Sequence, residues 1–471
     1  MKRKLVAMAV GAALLAATAG RADPPIPGPT LVLISIDTTR ADALSCYGRL
    51  PGLVGEGPRT PRLDALAEAG VRFERFYTHA PTTLVSHASM LSGEDPHVHG
   101  IPRNGFPLLG GPPTLATTLA AAGYDTLAVV GAKALERAMG LDAGFRVYDD
   151  ETPIKRGPMY QDTADRVVDR ALAAVKARDA ARPLFLFVHL YDPHAPYDPP
   201  PAFSAPFEPP GGPAFRTGEE AGTLGRLRRS LIAGRADPAA VGHVAALYQG
   251  EVAFADAQVG RLLDGLEAEG LLDRSLVVVT ADHGEGLSDV PEWAYTHGSD
   301  VSEGVMHVPL IVRGRGLPVA SHAVVRSPVG MDGLASSVLA WLGRPERIGA
   351  AGFAALAGPG PVRDASGWPD SPVRVVFQEA TRPREQERTD AWNNLAFDRA
   401  VVAGPWRWDE SPLRGHAGAL SPVAPGLGPV LDALLARWDA DAPPWRAEGM
   451  SDDTTDALKA LGYLDDKPRA P

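Results

Sequence analysis

Apolar residues along this chain fall into short continuous blocks separated by segments with helical spacing. Thr30–Ile36 (TLVLISI), Asp125–Val130 (DTLAVV), Leu184–Leu190 (LFLFVHL), Ser275–Ala281 (SLVVVTA) and His307–Val312 (HVPLIV) show little polar alternation and are rich in β-branched residues. Such runs predict strands buried on both faces, as in a parallel sheet. Between them, Thr60-Pro61 opens a helix that Gly70 closes, and Pro113-Thr114 opens one ending at Gly123. Gln161–Asp179 has amphipathic spacing, and Asp237-Pro238 begins a long helix reaching about Gly270. Strands alternating with helices of this length predict an α/β fold around a mostly parallel sheet. Residues 200–236, rich in Gly, Pro and Arg, break the rhythm. They read as an inserted loop, with a lid over the site mouth and a plain surface excursion as the two alternatives. Beyond about residue 345, Arg374–Glu379 and Arg399–Trp408 read as strands of a small antiparallel unit, and Val430–Ala440 and Thr454–Leu461 as helices.

The N-terminus changes this picture. Lys2, Arg3 and Lys4 precede an apolar stretch, Leu5–Ala16, too short to span a bilayer comfortably, and Ala17-Thr18-Ala19 or Gly20-Arg21-Ala22 supplies a small-residue cleavage site. This is the pattern of a secretory signal, so residues 1–22 are expected to be removed and the protein to be periplasmic or secreted, with a retained N-terminal anchor as the alternative. No other stretch approaches a membrane span. The expected plan is a signal at 1–22, a catalytic domain at 23–345 and a smaller domain at 346–471. The net charge of -11 speaks against binding nucleic acid by general phosphate attraction. Cys46 is the only cysteine, which excludes an internal disulfide and a thiolate metal cluster.

The candidate chemistry sits where strands end. Asp37 follows Thr30–Ile36, Asp192 and His194 follow Leu184–Leu190, and Asp282-His283 follows the Ser275–Ala281 run. Open α/β sheets bind ligands at the carboxyl ends of their strands. Asp37, Asp282 and His283 make a mixed oxygen and nitrogen set suited to one divalent ion, Zn²⁺ or Mn²⁺ before Ca²⁺ or Mg²⁺. The stretch Ala80–Gly93 (APTTLVSHASMLSG) reads as a tight loop feeding a short helix, with Thr83 near its N-terminus. Such a terminus suits an anionic ester. A hydroxyl held on a metal ion becomes a usable nucleophile at neutral pH, and Thr83 is the candidate.

Taken together, Leu33–Leu44 (LISIDTTRADAL), Ala80–Gly93, Phe185–Pro200 (FLFVHLYDPHAPYDPP), Val277–Gly284 (VVVTADHG), His297 to Pro309 and Leu458–Leu464 (LKALGYL) resemble the sulfatase family of the alkaline-phosphatase superfamily. The resemblance implies a three-layer αβα sandwich with a mostly parallel central sheet, plus a smaller C-terminal antiparallel α+β domain. It also implies a metal-dependent hydrolase of sulfate or phosphate esters. The family's nucleophile motif is Cys or Ser, any residue, Pro, Ser, Arg, with the first residue oxidised to formylglycine. Here the five positions read Thr83-Leu84-Val85-Ser86-His87, and Thr38 stands where a second Asp is usual.

Threonine is not a precursor of formylglycine, so these departures lean toward phosphate mono- or diesters. A sulfatase acting without formylglycine and an inactive binding protein of the same fold are the alternatives. By matched position the resemblance gives Asp37, Thr83, Asp282 and His283 as metal ligands and Thr83 as nucleophile. His194 and His297 become the catalytic imidazoles on the ester and leaving group, and Arg40, Ser86 and His87 the substrate-binding groups. The expected partner is an anionic ester, whether small molecule, lipid headgroup or glycan.

Overall fold

The computed structural model describes residues 29–349 apart from short stretches, and then 375–381, 397–403, 406–410 and 428–441. The signal segment and the Thr454–Leu461 helix lie outside the described residues. The strands are β1 Thr30–Ile36, β2 Val71–Tyr77, β3 Asp125–Val130, β4 Val147–Asp149, β5 Ile154–Arg156, β6 Met159–Gln161, β7 Leu184–Leu190, β8 Ser275–Thr280, β9 His307–Arg313, β10 Ala323–Val325, β11 Val329–Gly330, β12 Val375–Thr381, β13 Phe397–Ala403 and β14 Trp406–Glu410. The principal helices are α1 Pro61–Ala69, α2 Thr83–Ser92, α3 Leu115–Ala121, α4 Ala164–Lys176, α5 Pro238–Ala268, α6 Leu334–Trp341 and α7 Gly428–Asp441.

The main sheet runs β10-β2-β9-β8-β1-β7-β3-β4, with β11 also on β2. All neighbours are parallel except β9, which is antiparallel to both β2 and β8. The carboxyl ends of β1, β2, β3, β7 and β8 therefore share one edge. The continuous apolar runs have the expected consequence: every residue of β1, β3, β7 and β8 is buried. The pleat divides β1 between two cores. Val32, Ile34 and Ile36 face the layer of α1, α4 and α5, while Leu31 and Leu33 face that of α2, α3 and α6. This is the expected three-layer α/β sandwich.

Sequence patterning missed β2. Its run, VRFERFY, alternates charged with apolar residues, and the strand is correspondingly half-buried toward the sheet edge. The run Arg399–Trp408 is not one strand but parts of two, β13 and β14, paired antiparallel with β12 in a three-stranded sheet. The excursion at 200–236 contains an unexpected helix, Thr223–Ile232, whose Leu224, Leu227 and Leu231 pack on the α5 side of the core. Among the described residues no helix is long and apolar enough to cross a membrane.

Candidate active site

Three buried side chains meet where β1 and β8 end. Ligand-capable atoms of Asp37, Asp282 and His283 lie within 4.8 Å of one another, and all three residues are fully buried. Each keeps one polar atom without a hydrogen-bond partner: Asp37 Oδ1, Asp282 Oδ2 and His283 Nε2. The local chain explains why. The amides of Thr38 (3.2 Å) and His283 (2.8 Å) both donate to Asp282 Oδ1, leaving Oδ2 unmatched. His283 Nδ1–H donates to the carbonyl of Gly284 at 2.9 Å, which leaves Nε2 as a bare lone pair. Thr38 is held at a φ of 47°, in the left-handed region, where the Tyr248 hydroxyl of α5 donates to its carbonyl at 2.7 Å. Strain of this kind persists only where the surroundings impose it.

The electrostatics point the same way. Burial, then the neighbouring Asp282 and Glu285, push the Asp37 carboxyl well above its ordinary value, and the Thr83 side chain opposes that rise. Burial also raises Asp282, against the pull of His87 and of the two amides. Burial, followed by the charge on His297, holds His283 neutral, well below the usual histidine range. Two carboxylates forced together, with a neutral imidazole and unpartnered atoms converging, fit a divalent cation. A second grouping, His87, His189 and Asp282, lies equally close. His87 is already committed: its Nδ1 bonds the Thr83 carbonyl at 2.7 Å and its Nε2 the Ser35 hydroxyl at 2.9 Å. The first set is therefore the better metal site.

Three imidazoles continue from this point. The ring centroids of His283 and His297 are 4.5 Å apart, and those of His297 and His194 are 4.9 Å apart. His297 Nδ1 faces Glu285 Oε1 at 3.2 Å. Burial lowers its basicity, but Glu285, Asp282 and Asp300 outweigh that and raise its pKa. His194 stacks on Tyr191; burial and the His297 charge push its pKa down to about 3. The site thus sets an imidazole of raised pKa beside one of lowered pKa.

Several residues expected on the substrate are engaged elsewhere. Ser86 Oγ donates to the Asp282 carbonyl at 2.5 Å and meets Thr78 Oγ1 at 2.7 Å, pinning α2 to the end of β8. The backbone N–H of Ser86 belongs to the first turn, donating to the Thr82 carbonyl. His87 is buried within α2, and Arg40 is a structural pin: its guanidinium reaches Asp42, Asp289 and the Glu285 carbonyl. Asp192 accepts the amide of Ala164 at the start of α4.

Three further residues were not foreseen. His189 on β7 reaches Asp37 Oδ2 from Nε2 at 3.1 Å; its only signal is one imidazole in an otherwise apolar strand. Glu285 also accepts from the Tyr197 hydroxyl at 2.9 Å; its signal is an acid two places beyond His283. Asn104 Oδ1 accepts the Leu84 amide at 2.7 Å, capping α2 from a distant loop, and nothing in its sequence context marks it.

Comparison with known proteins agrees with this geometry. The sulfatase family profile matches residues 29–344. The chain belongs to the sulfatase family. An arylsulfatase of Clostridium perfringens is 24% identical over 315 residues, covering 55% of this chain and 64% of that protein. An ulvan-active sulfatase of Formosa agariphila is 24% identical over 418 residues, covering 80% of this chain and 76% of that one. Among solved structures, one in complex with its substrate D-glucosamine-2-N,6-O-disulfate has a TM-score of 0.62 at 16% identity, covering 93% of this chain and 99% of that one. The phosphonate monoester hydrolase of Agrobacterium radiobacter has a TM-score of 0.61 at 21% identity, covering 92% and 94%. This sulfatase-family chain therefore shares its fold with enzymes of both sulfur and phosphorus esters.

Proposed function

We propose that this sulfatase-family protein is an exported, metal-dependent hydrolase of phosphate mono- or diesters that uses Thr83 as nucleophile. The observation that carries the reading is the convergence of unpartnered Asp37 Oδ1, Asp282 Oδ2 and His283 Nε2 beside Thr83. Asp37, Asp282, His283 and the Thr83 hydroxyl would hold one divalent ion, with Zn²⁺ or Mn²⁺ favoured by the imidazole. When bound, that ion supplies charge to the ester oxygens and lowers the hydroxyl pKa.

The chain's own groups do the rest. Thr83 Oγ1, at the first turn of α2 and with its proton already released to solvent, attacks phosphorus, and the P–O bond to the alcohol breaks. The side chain at this position stays threonine, since it cannot become formylglycine. His297, held as an imidazolium by Glu285, donates a proton to the departing alkoxide. His297, left neutral by that transfer, takes a proton from the water that attacks phosphorus; the P–O bond to Thr83 breaks, restoring Thr83 Oγ1 and the His297 imidazolium, while neutral His194 contacts the ester oxygen. Residues 23–345 would form the catalytic domain and 346–471 the smaller one, with export directed by residues 1–22.

The test is a side-by-side assay of mature protein, with its bound metal measured, on an aryl phosphate, a bis-aryl phosphate and an aryl sulfate sharing one leaving group. The expected result is one divalent ion per chain and faster turnover of a phosphate than of the sulfate. Sulfate turnover above both phosphates would overturn the substrate reading. No metal together with no turnover would favour a binding protein.

A further inference from the structure

All the candidate site residues lie before position 300, yet the segments flanking the helix that carries Thr83 are both held by a strand nearly three hundred residues further on. On the entering side, His79 Nδ1 donates to the Phe377 carbonyl at 2.7 Å. The Glu379 amide donates to the His79 carbonyl at 2.9 Å, and Gln378 Nε2 donates to the Thr78 carbonyl at 3.2 Å. On the leaving side, His97 Nε2 meets Glu379 Oε2 at 2.8 Å. The His97 ring stacks on Trp438 of α7, with centroids 3.8 Å apart, and Trp438 stacks in turn on Phe377 at 5.0 Å. Trp438 Nε1 also donates to Asp95 Oδ2 at 3.2 Å, closing the ring. Three consecutive residues of β12 thus hold the segments before and after α2.

The strand itself is anchored. Buried Arg407 on β14 bonds Gln378 Oε1 and the Val301 carbonyl. Val376, Ala380, Ala400 and Val402 share a buried cluster with Tyr77, Val301, Val305 and Met306.

We propose that the C-terminal sheet is a positioning bracket for the nucleophile helix, with Glu379 and Gln378 fixing where Thr83 stands relative to the metal ligands. The inference rests on the reading of Thr83 as nucleophile. Its physical basis is that displacements of about 1 Å in a reacting group can cost about a hundredfold in rate. A helix whose two flanking segments are tied to one strand is restrained from sliding along its axis.

The experiment compares Glu379→Ala, Glu379→Gln and Gln378→Ala with Val175→Ala, a buried substitution in α4 on the other face of the main sheet from α2. All are assayed well below their melting temperatures, with metal content measured. Glu379→Ala is expected to lower kcat about tenfold with KM within about twofold, metal retained and faster amide exchange across Leu84–Leu91. Glu379→Gln, which can still accept from His97, is expected to recover most of the rate. Gln378→Ala gives a smaller fall of the same kind, and serves if Glu379→Ala does not fold. Val175→Ala is expected to melt earlier with kcat unchanged. The bracket is overturned if Glu379→Ala and Gln378→Ala keep wild-type kcat and exchange rates, or if Val175→Ala loses as much kcat as they do. A wild type with no turnover defeats the nucleophile reading instead, and amide exchange in α2 still decides whether the bracket exists.

Discussion

Two buried clusters of histidine and carboxylate among the described residues are built on opposite rules. At the strand ends, Asp37, Asp282 and His283 face one another with unmatched atoms. In the bracket, His79 meets Asp332 Oδ1 at 3.0 Å and His97 meets Glu379 Oε2 at 2.8 Å. Burial alone would lower both bracket histidines, yet their carboxylate neighbours raise them. In the strand-end cluster burial instead raises the acids and lowers the histidine. Opposite charges that meet directly stabilise a join between chain segments, even though Glu379 Oε1 has no hydrogen-bond partner. A buried set that repels itself is stable only with something between its members, which is why one cluster reads as architecture and the other as a ligand site.

That contrast can be broken most severely at Asp282. Asp282→Asn keeps the shape but removes a charge, and is expected to lower kcat/KM by at least about 10³-fold, with loss of bound metal on elemental analysis. Full activity in this variant would remove the metal reading. Next is Glu285→Gln, which leaves the strand-end ligands in place but deprives His297 of its counter-charge. Its kcat is expected to fall about a hundredfold for poor leaving groups and much less for good ones. A uniform fall across leaving groups would show that Glu285 is not serving proton transfer.

Stability separates the two clusters further. Chelation is expected to lower the melting temperature, and metal at a hundred times its Kd to restore about 2.7 kcal/mol. Substituting His97→Gln should leave that metal-dependent difference unchanged; its disappearance would mean the clusters are one unit.

The smallest effect is the pH response of the bracket. His79 and His97 have raised pKa values in the fold, through Asp332 and Asp95 for the first and Glu379 and Asp95 for the second, while neighbouring His99 is pushed down to about 3 by burial and by these two charges. Their stabilisation is therefore complete below the ordinary histidine value of 6.5 and is lost as pH rises through the raised values. Melting temperature should decline across that window, with a shallower slope in His97→Gln. A slope equal to wild type would remove His97 from the join.

The sequence shows the strand-end cluster far better than the bracket, for physical reasons. Fully buried parallel strands must be continuous apolar runs, so their ends are visible and an acid or imidazole just beyond them stands out, as Asp37, Asp282 and His283 do. His189 and Glu285 carry no such marker, because one lies inside a strand and the other in a loop. Ser86, His87 and Arg40 stand at matching positions in the chain, but their side chains turn to Asp282, Ser35 and Asp42, an orientation that spacing cannot reveal. The bracket joins residues 282 positions apart, His97 and Glu379, and rests on no local pattern. Edge strand β2 was hidden for the converse reason: half-exposed strands tolerate the charges that disguise them.

The role of Thr83 is tested most directly by trapping. Wild type and Thr83→Ala, both metal-loaded, are mixed with a ³²P-labelled aryl phosphate, quenched in acid during turnover and digested. The expected result is label on the wild-type peptide at Thr83, none in Thr83→Ala, and a loss of turnover of about 10³-fold or more in the metal-loaded variant. Turnover by Thr83→Ala at the wild-type rate would contradict Thr83 as nucleophile and place the attack on water or another hydroxyl.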